Sequence, residues 1–494
     1  MTLLELVDGL PVEMAEEQLR PPIEVTGIAH DSRRARPGDL FVAWHGDRFD
    51  GRAFAADAIT RGAVAVLADS EAPFAATVPW LRAREPRRLL APLAARVYAH
   101  PDRELRLVGV TGTNGKTTVT MLVAAMLARA GYPCGVLGTL GTRFGTLELP
   151  SHHTTPEGND FFSALRAMRD AGAAAATCEV SSHALDQGRV ASASFEVAVF
   201  TNLTRDHFDY HGDFDRYFAA KRLLFTQLRP GGRAVLPADD PYGQRLAAEL
   251  ERPLIYGEST GDVSIESAEL STRGTAATIR TPRGRLAIES RLLGRFNLSN
   301  VLAAVGAAEA LELEHDAIRE AVSRFSPVCG RMEPIEAGQD FPALVDYAHT
   351  EGGLEAVLGS LREIFPGRIA VVCGAGGERD TGKRPRMGAA AARGAELVLV
   401  TDDNPRREDP AAIRAAILEG ARAAGAARLE EVGDRRAAIR RAVEIASSEP
   451  GWLVLVAGKG HERVQILGDR ELPFSDQAEL LAALGERLGT AAAG

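Results

Sequence analysis

The chain has 494 residues, which is too long for a single hydrophobic core, so roughly two to four domains are expected. Its content of 45% hydrophobic and 25% charged residues is typical of a soluble globular protein. A formal net charge of -10, with scattered lysines and arginines, argues against a nucleic-acid-binding surface. Met1–Arg20 lacks the pattern of a signal peptide, and no run approaches the roughly 18 apolar residues of a membrane helix.

The four cysteines are far apart and form no C-x-x-C pair, which argues against a metal or redox site. Each lies among apolar or glycine neighbours, a setting typical of buried free thiols. We therefore expect a protein of the reducing cytoplasm. The cysteines are Cys134, Cys178, Cys329 and Cys373.

The first predicted domain, residues 1–100, alternates short apolar segments with helix-like stretches. Leu40–Ala43 and Ala63–Leu67 are strand candidates, and Arg36–Asp39 is a turn before the first of them. This pattern predicts a small α/β domain. The segment His100–Asp102 is predicted to be a linker, because its proline and aspartate interrupt both periodicities.

The second predicted domain, residues 101–328, alternates strands with helices, a pattern that indicates a mostly parallel sheet. Its strand candidates are Leu105–Val110, Ala175–Val180 and Val197–Thr201, and its helix candidates include Val119–Ala130 and Val301–Leu311. Between these helices, Val263–Leu293 alternates apolar and polar residues, which predicts a few appended antiparallel strands.

The third predicted domain, residues 329–494, repeats the alternation of strands and helices. Its strand candidates are Ala343–Tyr347, Ile369–Cys373, Leu397–Thr401 and Leu453–Ala457. The predicted fold class is therefore α/β with three domains: the small amino-terminal one, a central phosphate-loop ATPase sheet and a Rossmann-like carboxyl-terminal domain. In such sheets functional residues lie at the carboxyl ends of the strands.

A glycine-rich loop follows the first strand of the central domain. Its backbone amides and the following helix amino terminus are suited to nucleotide phosphates. Within it, Lys116 can span the terminal phosphates and Thr117 can bind Mg2+. The longer consensus would require glycine where Val110 stands, so the loop belongs to a shorter subtype. The predicted nucleotide-binding residues here are Gly112, Thr113, Asn114, Gly115, Lys116, Thr117 and Thr118.

Glu179 and His207 follow the next two predicted strands, where a doubly wound sheet presents ligands to a nucleotide's metal. A buried glutamate there needs a cation, and either a metal ion or a nearby arginine would satisfy it. His207 by itself is equally consistent with a structural histidine. Lys221, in the helical run Tyr217–Leu228, has the pattern of an ordinary surface lysine.

With these features together, the chain resembles the Mur ligase family over nearly its whole length. Each motif is modest, but the set in this order is specific. The motifs are His30–Arg33, Gly38–Ala43, Thr111–Thr118, Thr154–Glu157, Glu179–His183, Asn202–Gly212, Asn297–Asn300, Gly330–Glu333, Asp346–Thr350, Gly376–Pro385, Asp403–Arg406 and Gly458–Glu462.

The resemblance implies an ATP-dependent ligase that acts on UDP-MurNAc-L-Ala-D-Glu in peptidoglycan precursor synthesis. ATP would phosphorylate the free carboxylate of the D-glutamate, and an amino group of an incoming diamino acid would attack the acyl phosphate. A carboxylate is a poor electrophile, and phosphorylation supplies a leaving group, while Mg2+ and lysines neutralise the negative charge. The implied partners are small molecules only, and the protein is expected to be a monomer.

The resemblance also implies roles for single residues. Lys116, Glu179, His207 and Lys221 are implied as catalytic, and Thr117, Glu179, His207 and Lys221 as metal ligands, Lys221 as a carbamate formed with CO2. The implied residues on the ATP side are Asn300, Arg331, Asp346 and His349, which closure of the third domain would bring in. Ser32 matches a uridine contact. The muramyl-peptide side is matched by His153, Thr154, Thr155, Ser181, Gln187 and Arg189, the last suited to a diphosphate or carboxylate.

The incoming diamino acid is indicated by Asp403-Asn404-Pro405-Arg406, just after a predicted strand. Arg406 can pair with a second carboxylate, which meso-2,6-diaminopimelate has and lysine lacks. Further diamino-acid contacts are implied for Arg379, Gly458 and Glu462. At Glu351–Gly353 the chain lacks the proline and aspartate usual in the family, which leaves the local turn and its nucleotide contact open.

Alternative functions are the same reaction with L-lysine or another diamino acid, a folylpolyglutamate synthetase, and a nucleotide-binding sensor of muropeptides without catalysis. Arg406 argues against lysine, since like charges would repel. The amino-terminal segment Asp31–Arg52 argues against the second alternative, and the presence of Lys116, Glu179 and Lys221 argues against the third.

Overall fold

The computed structural model describes residues 1–14, 22–46, 50–149 and 153–489. It has the α/β architecture that the sequence predicts, with several mostly parallel sheets. The chain separates into two compact units, each described here by itself. The first unit comprises Met1–Glu266, Thr278–Ala287 and Ser299–Val322. The second unit comprises Ser267–Ala277, Ile288–Leu298 and Ser323–Gly494.

The amino-terminal part of the first unit contains a small α/β fold. Its elements are α1 (Leu3–Val7), β1 (Gly27–Ala29), β2 (Asp39–Val42), α2 (Ala55–Thr60), β3 (Ala65–Ala68), β4 (Trp80–Arg82) and α3 (Pro86–Val97). The strands form one parallel sheet in the order β1-β2-β3-β4. Every residue of β2 and β3 is buried, because side chains from the two faces of the sheet enter two different hydrophobic clusters. This burial explains the continuous apolar runs in the sequence.

The predicted linker at His100–Asp102 is not an extended connection. His100 adopts a left-handed conformation (φ 50°), and Pro101 starts a one-turn helix, α4 (Pro101–Glu104). Proline suits the first position of a helix, where its missing N–H is not needed. Asp102 is completely buried, and one carboxylate oxygen accepts a hydrogen bond from Ser194 N at 3.0 Å. The prediction of a simple linker is therefore wrong at this point.

A second sheet in the first unit carries the glycine loop. Its elements after α4 are β5 (Arg106–Thr111), α5 (Lys116–Arg129), β6 (Cys134–Gly138), β7 (Gly141–Phe144), β8 (Leu147–Leu149), α6 (Gly158–Asp170), β9 (Ala175–Glu179), α7 (Ser182–Asp186), β10 (Phe195–Phe200), α8 (Phe208–His211), α9 (Phe214–Arg222), β11 (Leu228–Pro237), α10 (Pro241–Ala247) and β12 (Leu254–Gly257). Parallel pairs place β5 between β10 and β9. The carboxyl ends of these three strands therefore meet at one edge, where a ligand site is expected.

Three further strands continue this sheet, as the alternating pattern of Val263–Leu293 predicts. They are β13 (Val263–Ser271), β14 (Gly274–Thr281) and β15 (Gly284–Ser290), followed by α11 (Arg295–Ala310) and α12 (His315–Arg324). The complete strand order is β15-β14-β13-β12-β11-β10-β5-β9-β6-β7-β8. Burial alternates along β14 and β15, which is why their apolar residues have a period of two.

The second unit is built on a six-stranded sheet in the order β16-β17-β21-β18-β19-β20. Its elements are β16 (Glu333–Pro334), β17 (Ala343–Asp346), α13 (Glu351–Ile364), β18 (Arg368–Cys373), α14 (Lys383–Gly394), β19 (Leu397–Val400), α15 (Pro410–Ala423), β20 (Arg428–Glu431), α16 (Arg435–Ser448), β21 (Trp452–Ala457), β22 (Val464–Leu467), β23 (Arg470–Pro473) and α17 (Asp476–Leu488). All pairings in the sheet are parallel except that of β16. The four predicted strands are confirmed, while β16, β20 and the β22–β23 hairpin are additions.

All four cysteines are free thiols, and burial raises the pKa of each of them. The prediction of buried thiols is confirmed for Cys178 and Cys373, whereas Cys134 and Cys329 are only partly buried. Among the described residues, no helix combines the length and apolar character needed to cross a bilayer.

Candidate functional site

The glycine loop between β5 and α5 is shaped by two close approaches. Gly112 has φ 148°, and a Cβ there would lie 1.8 Å from Thr201 Oγ1. Gly115 has φ 85°, and its Cβ would lie 2.3 Å from Asn300 Oδ1. Both positions therefore require glycine on steric and conformational grounds. The second contact also brings Asn300, a predicted ATP-side residue, beside the loop.

The loop backbone is held by the segment that follows β10. Thr113 N donates to Asn202 O at 2.9 Å, and Asn114 N donates to Asn202 Oδ1 at 3.0 Å. Lys116 Nζ folds back onto the loop and donates to the carbonyls of Gly112 (3.0 Å) and Thr113 (2.9 Å). The lysine ammonium thus lies against the loop backbone, at the amino-terminal end of α5, where a phosphate is favoured.

The departure from the longer consensus at Val110 has a structural reason. Val110 is a buried residue inside β5, where it pairs with Val199 on one side and Glu179 on the other. The loop therefore begins only at Gly112. Thr118, the last predicted loop residue, is buried in the first turn of α5.

Glu179, at the carboxyl end of β9, is held by neutral donors. Thr117 Oγ1 donates to its Oε2 at 2.9 Å, Thr139 N donates to Oε1 at 2.9 Å, and Thr139 Oγ1 donates to Oε2 at 3.1 Å. The residue is only 2% exposed. Within the described ranges no arginine forms an ion pair with Glu179, so the alternative of arginine neutralisation is not supported.

Lys221 is not the surface lysine that its local sequence suggests, since only 1% of the residue is exposed. From α9 its Nζ donates to Gly112 O at 2.8 Å and lies 4.5 Å from the centre of the Tyr217 ring. Burial, reinforced by the nearby charge of Lys116, holds the pKa of Lys221 well below its ordinary value. This lowered pKa raises the fraction of Lys221 that is an uncharged amine, next to the backbone of the glycine loop.

His207 adopts a left-handed conformation (φ 54°) at the start of α8. Its ring packs edge-on against His183, with 4.8 Å between centroids, and burial lowers the pKa of both histidines. A neutral imidazole is the form that binds metals. Over the residues that the structure describes, no three His, Cys, Asp or Glu side chains are grouped to hold a metal. A metal site here would therefore depend on other oxygen ligands.

Arg189 is buried and already engaged by protein groups. Its Nε donates to Gln187 Oε1 at 3.0 Å, its Nη1 donates to Thr155 O at 2.9 Å, and Glu157 pairs with it at 3.0 Å. Burial is the main effect on its pKa, which is lowered. The guanidinium predicted to hold a substrate anion thus also fixes the segment before α6.

The other predicted muramyl-peptide residues lie on this segment and at the start of α7. Ser181 N donates to Thr155 Oγ1 at 3.0 Å, which ties the two segments together. Thr154 Oγ1 and Thr139 Oγ1 lie 3.2 Å apart, within hydrogen-bond distance, and His153 is exposed. Thr139 therefore links Thr154 to the carboxylate of Glu179.

Ser32, the predicted uridine contact, lines a cavity of about 610 Å³ in the amino-terminal part of the first unit. The ring of His30 stacks on Trp44 at the wall of this cavity, with centroids 5.8 Å apart. Asp57 also lines it. An aromatic wall with a few polar groups is typical of small-molecule sites.

In the second unit, Asp346 ends β17 and organises the predicted ATP-side residues there. Its carboxylate accepts hydrogen bonds from Met332 N and Ala348 N, both at 2.7 Å. Burial raises its pKa, although Arg331 acts in the opposite direction. The carboxylate thus fixes the backbone on either side of the predicted contacts.

Arg331 and His349 both lie against the same ring. The Arg331 guanidinium is 4.8 Å from the centre of Tyr347, and the His349 ring is 4.6 Å from it. His349 Nδ1 also lies 2.8 Å from Tyr347 O, and burial lowers the pKa of this histidine. Arg331 and His349 therefore pack against the same Tyr347 ring. The His461 ring packs there as well, with 5.0 Å between the His461 and Tyr347 centroids.

The predicted diamino-acid residues are brought together by the loops after β19 and β21. Asn404 Nδ2 donates to Glu462 Oε2 at 2.9 Å. Gly458 has φ 125°, and a Cβ there would lie 2.8 Å from Asp403 Oδ2, so glycine permits the close approach of the two loops. Pro405 is buried, whereas Arg379 is exposed.

Arg406 is distinguished from the next arginine by its surroundings. It adopts φ 53°, its backbone N–H donates to Ile466 O at 3.1 Å, and its Nη1 donates to Gly377 O at 2.7 Å. Arg407, in contrast, is 69% exposed and pairs with Asp469 at the surface. Arg406 is therefore half-buried and is not a plain surface arginine.

Comparisons with known proteins show the family of this chain. The Mur ligase middle domain matches residues 110–308, the glutamate ligase domain of Mur ligases matches residues 330–460, and the catalytic domain of the Mur ligase family matches residues 24–98. A relative from Geobacter metallireducens, named UDP-N-acetylmuramoyl-L-alanyl-D-glutamate--2,6-diaminopimelate ligase, is 45% identical over 94% of this chain and 95% of its own. The chain belongs to the Mur ligase family.

Three further comparisons extend over nearly the whole chain. A relative of the same name from Geobacillus thermodenitrificans is 43% identical over 99% of this chain and 100% of its own. A solved structure of a protein with that name is 33% identical, with a TM-score of 0.71 and 99% of each chain covered. MurF from Thermotoga maritima in complex with ADP, at 18% identity and a TM-score of 0.66 over 94% and 98% of the two chains, shares the fold.

The departure from the Mur ligase pattern at Glu351–Gly353 leaves a regular helix start. Thr350 precedes α13, and its hydroxyl accepts a hydrogen bond from Gly353 N at 3.1 Å. Threonine is a favoured residue at this position because its hydroxyl satisfies one of the free amides of the first turn. The helix therefore begins without the usual proline and aspartate.

Sequence reasoning missed three residues that this Mur ligase places among its predicted site residues. Thr139 binds Glu179, Lys383 Nζ donates to His349 O at 3.0 Å, and Lys459 is completely buried beside Asn404. Thr139 gives no local signal in the sequence. Lys383 and Lys459 do, because they stand inside the motifs Gly376–Pro385 and Gly458–Glu462.

Proposed function

We propose that this Mur ligase uses ATP to join meso-2,6-diaminopimelate to UDP-MurNAc-L-Ala-D-Glu in peptidoglycan precursor synthesis. The observation that carries the choice of diamino acid is the half-buried position of Arg406, whose Nη1 donates to Gly377 O. Arg406 follows Asn404 in the same loop, and the Asn404 amide donates to the carboxylate of Glu462. Near full-length similarity to relatives named for this reaction supports it.

The glycine loop is proposed to bind the ATP phosphates. Backbone amides at the start of α5 attract anions. The Lys116 ammonium lies against the loop backbone, and Thr117 is the next residue of α5. Transfer of the γ-phosphoryl group to the D-glutamate carboxylate would give an acyl phosphate. The lysine charge offsets the repulsion between the two anions and stabilises the charge that develops during transfer.

The residues near Glu179 fit Mg2+, which prefers oxygen ligands and usually keeps several waters. A buried carboxylate touched by the Thr117 hydroxyl, with no cation beside it in the described chain, supplies such oxygens and a reason to bind a cation. Thr117, Glu179 and His207 would hold the ion together with a modified Lys221. Bound there, Mg2+ would neutralise phosphate charge.

Lys221 is proposed to be a carbamate. Its uncharged amine can attack CO2, forming an N–C bond while one C–O π bond becomes a carboxylate and one N–H proton is released, so that a buried neutral amine becomes an oxygen-bearing anion. The lowered pKa of Lys221 and its position against Gly112 O support this chemistry. The carbamate would then serve as an oxygen ligand facing the phosphate loop.

The substrate is proposed to extend from the cavity beside Ser32, which suits an aromatic base, to Thr154, Thr155, Ser181, Gln187 and Arg189. The three proposed domains, residues 1–100, 101–328 and 329–494, would then bind UDP-substrate, ATP and the diamino acid respectively, in a monomeric protein of the cytoplasm. The matched family segments support these divisions.

The test measures phosphate release by the purified protein with ATP, Mg2+ and UDP-MurNAc-L-Ala-D-Glu. Turnover is expected with meso-2,6-diaminopimelate and far less with L-lysine. Arg406→Ala should cost about 1.5–3 kcal/mol in kcat/KM for diaminopimelate, the scale of a charged hydrogen bond. Arg407→Ala is the matched control and should leave it unchanged.

Equal or reversed turnover with lysine would overturn the choice of diamino acid and favour the lysine-adding alternative. No turnover with any diamino acid would overturn the ligase proposal itself.

A further inference from the structure

The second unit contains a completely buried lysine at the centre of its proposed diamino-acid site. Lys459, in the loop after β21, is 0% exposed. Its Nζ donates to Asn404 Oδ1 at 2.9 Å and to Glu462 Oε2 at 3.0 Å, and Asp403 Oδ1 lies 3.9 Å away. Lysines are almost never fully buried unless paired, because the ammonium loses its hydration. Three oxygens compensate this loss here.

The first consequence concerns the orientation of the Asn404 amide. Its Oδ1 accepts hydrogen bonds from Lys459 Nζ and from Ile466 N, the latter at 3.0 Å. A flipped amide would place its NH2 group against two donors. The carbonyl must therefore face Lys459, and the NH2 group must face Glu462, as observed at 2.9 Å.

The second consequence concerns the Glu462 carboxylate. Its Oε2 receives two donors, Lys459 Nζ and Asn404 Nδ2, which fixes the plane of the carboxylate. The side chain is still 31% exposed, so the rest of the group can meet a ligand. A carboxylate held in this way is preorganised for an ammonium group, because it needs no further ordering when the ligand arrives.

The loop that carries Lys459 is itself anchored by a buried ion pair. Arg435 Nη2 donates to Ala457 O at 2.9 Å, while Nε and Nη2 pair with Asp476 at 2.7 Å, and neither charged side chain is exposed. The backbone position of Lys459 is thus fixed independently of its side chain. Loss of the ammonium group should therefore change the orientation of its partners more than the course of the loop.

We propose that Lys459 is a positioning residue that orients Asn404 and Glu462 to receive the ammonium group of the diamino acid. This rests on the proposed function, since it takes Glu462 to be the group that meets that ammonium.

The experiment compares steady-state kinetics of the wild-type protein and Lys459→Met, which keeps the length of the side chain and removes its charge. The KM for meso-2,6-diaminopimelate should rise at least tenfold, while the KM for ATP stays within twofold and kcat falls less than threefold. Arg436→Met is the matched control, because Arg436 pairs with Glu479 at the surface between α16 and α17. It should leave all three constants unchanged.

A double-mutant cycle with Glu462→Gln separates positioning from a general structural role. If Lys459 acts through Glu462, its substitution should change the KM for diaminopimelate less than twofold when Glu462 is already Gln. Additive effects of the two substitutions would overturn the proposal. An unchanged KM in Lys459→Met, or equal losses for ATP and the diamino acid, would overturn it as well.

If Lys459→Met does not melt cooperatively, the comparison is between Glu462→Gln and the double variant, which leaves no unpaired Glu462 charge. Equal KM values then support the proposal, and a further tenfold rise overturns it. The wild-type assay tests the proposed function separately: a protein that uses a different diamino acid overturns that function, and the cycle is then measured with that acid. A wild type that uses none overturns both.

Discussion

Two regions of this Mur ligase differ in whether their buried ionisable side chains form ion pairs. Near the glycine loop, Glu179 and Lys221 are almost completely buried, and within the described residues neither forms an ion pair. Around the loop after β21, the buried charges are paired, as in Lys459 with Glu462 and Arg435 with Asp476. The described part of the first region gives its two buried ionisable groups no charged partner, whereas the second region pairs its buried charges with each other.

This difference corresponds to two kinds of ligand. Unpaired buried ionisable groups are costly, so they are retained where a bound ion or a chemical modification compensates them. Paired groups give a rigid surface whose remaining donors and acceptors have fixed directions. The region near Glu179 is therefore suited to an ion and phosphates, and the region near Glu462 to recognition of one amino acid.

The largest expected effect tests the paired region. Arg435→Met removes one partner of a fully buried ion pair and leaves Asp476 charged, which should lower the free energy of unfolding by about 3–5 kcal/mol. The double variant Arg435→Met/Asp476→Leu should recover most of this loss. Denaturant unfolding of the three proteins measures it. Similar stabilities of the single variant and the wild type would contradict internal pairing as the basis of this region.

The next effect tests the unpaired region. Glu179→Gln keeps an oxygen acceptor for Thr117 and Thr139 but removes the charge, so turnover should fall by about 10²–10³-fold, the scale of one lost electrostatic contact in a transition state. Half-maximal activity should also require more Mg2+. The melting temperature should not fall, because no cationic partner is left unpaired. A large loss of stability with normal activity would instead indicate that the Glu179 charge stabilises the fold and does not serve a bound ion.

The smallest effect uses Asp102, which is also buried but lies outside the proposed site. Burial raises its pKa above the ordinary 3.8, so the folded state binds this proton more tightly than the unfolded state does. Its stabilising contribution is therefore present below pH 3.8 and lost as pH rises through the folded pKa. Asp102→Asn should raise the free energy of unfolding by about 1 kcal/mol near neutral pH.

The same measurement at acid pH is the control for Asp102→Asn. There the wild-type carboxyl is already protonated, so the gain should disappear. A gain that is independent of pH would show that the charge of Asp102 is not what destabilises the folded protein.

The sequence by itself determined the α/β fold class, the central strands and the family, because these depend on local patterns. An apolar run such as that of β18 indicates a strand buried on both faces, and Gly112 and Gly115 indicate positions of positive φ. Motifs in a fixed order predict the roles of Lys116 and Arg406. All these signals are contained in neighbouring residues.

Only the tertiary structure decided which charges are buried and which are paired. Lys221 has the pattern of a surface lysine but is buried. It lies against the glycine loop at Gly112, which is more than 100 positions earlier in the sequence. Distant parts of the chain supply the hydrogen-bond partners of Thr139, Lys383 and Lys459. Asp102 likewise accepts a hydrogen bond from the distant Ser194 N. Local patterns set backbone conformation and hydrophobic burial, whereas compensation of charge depends on contacts between distant segments.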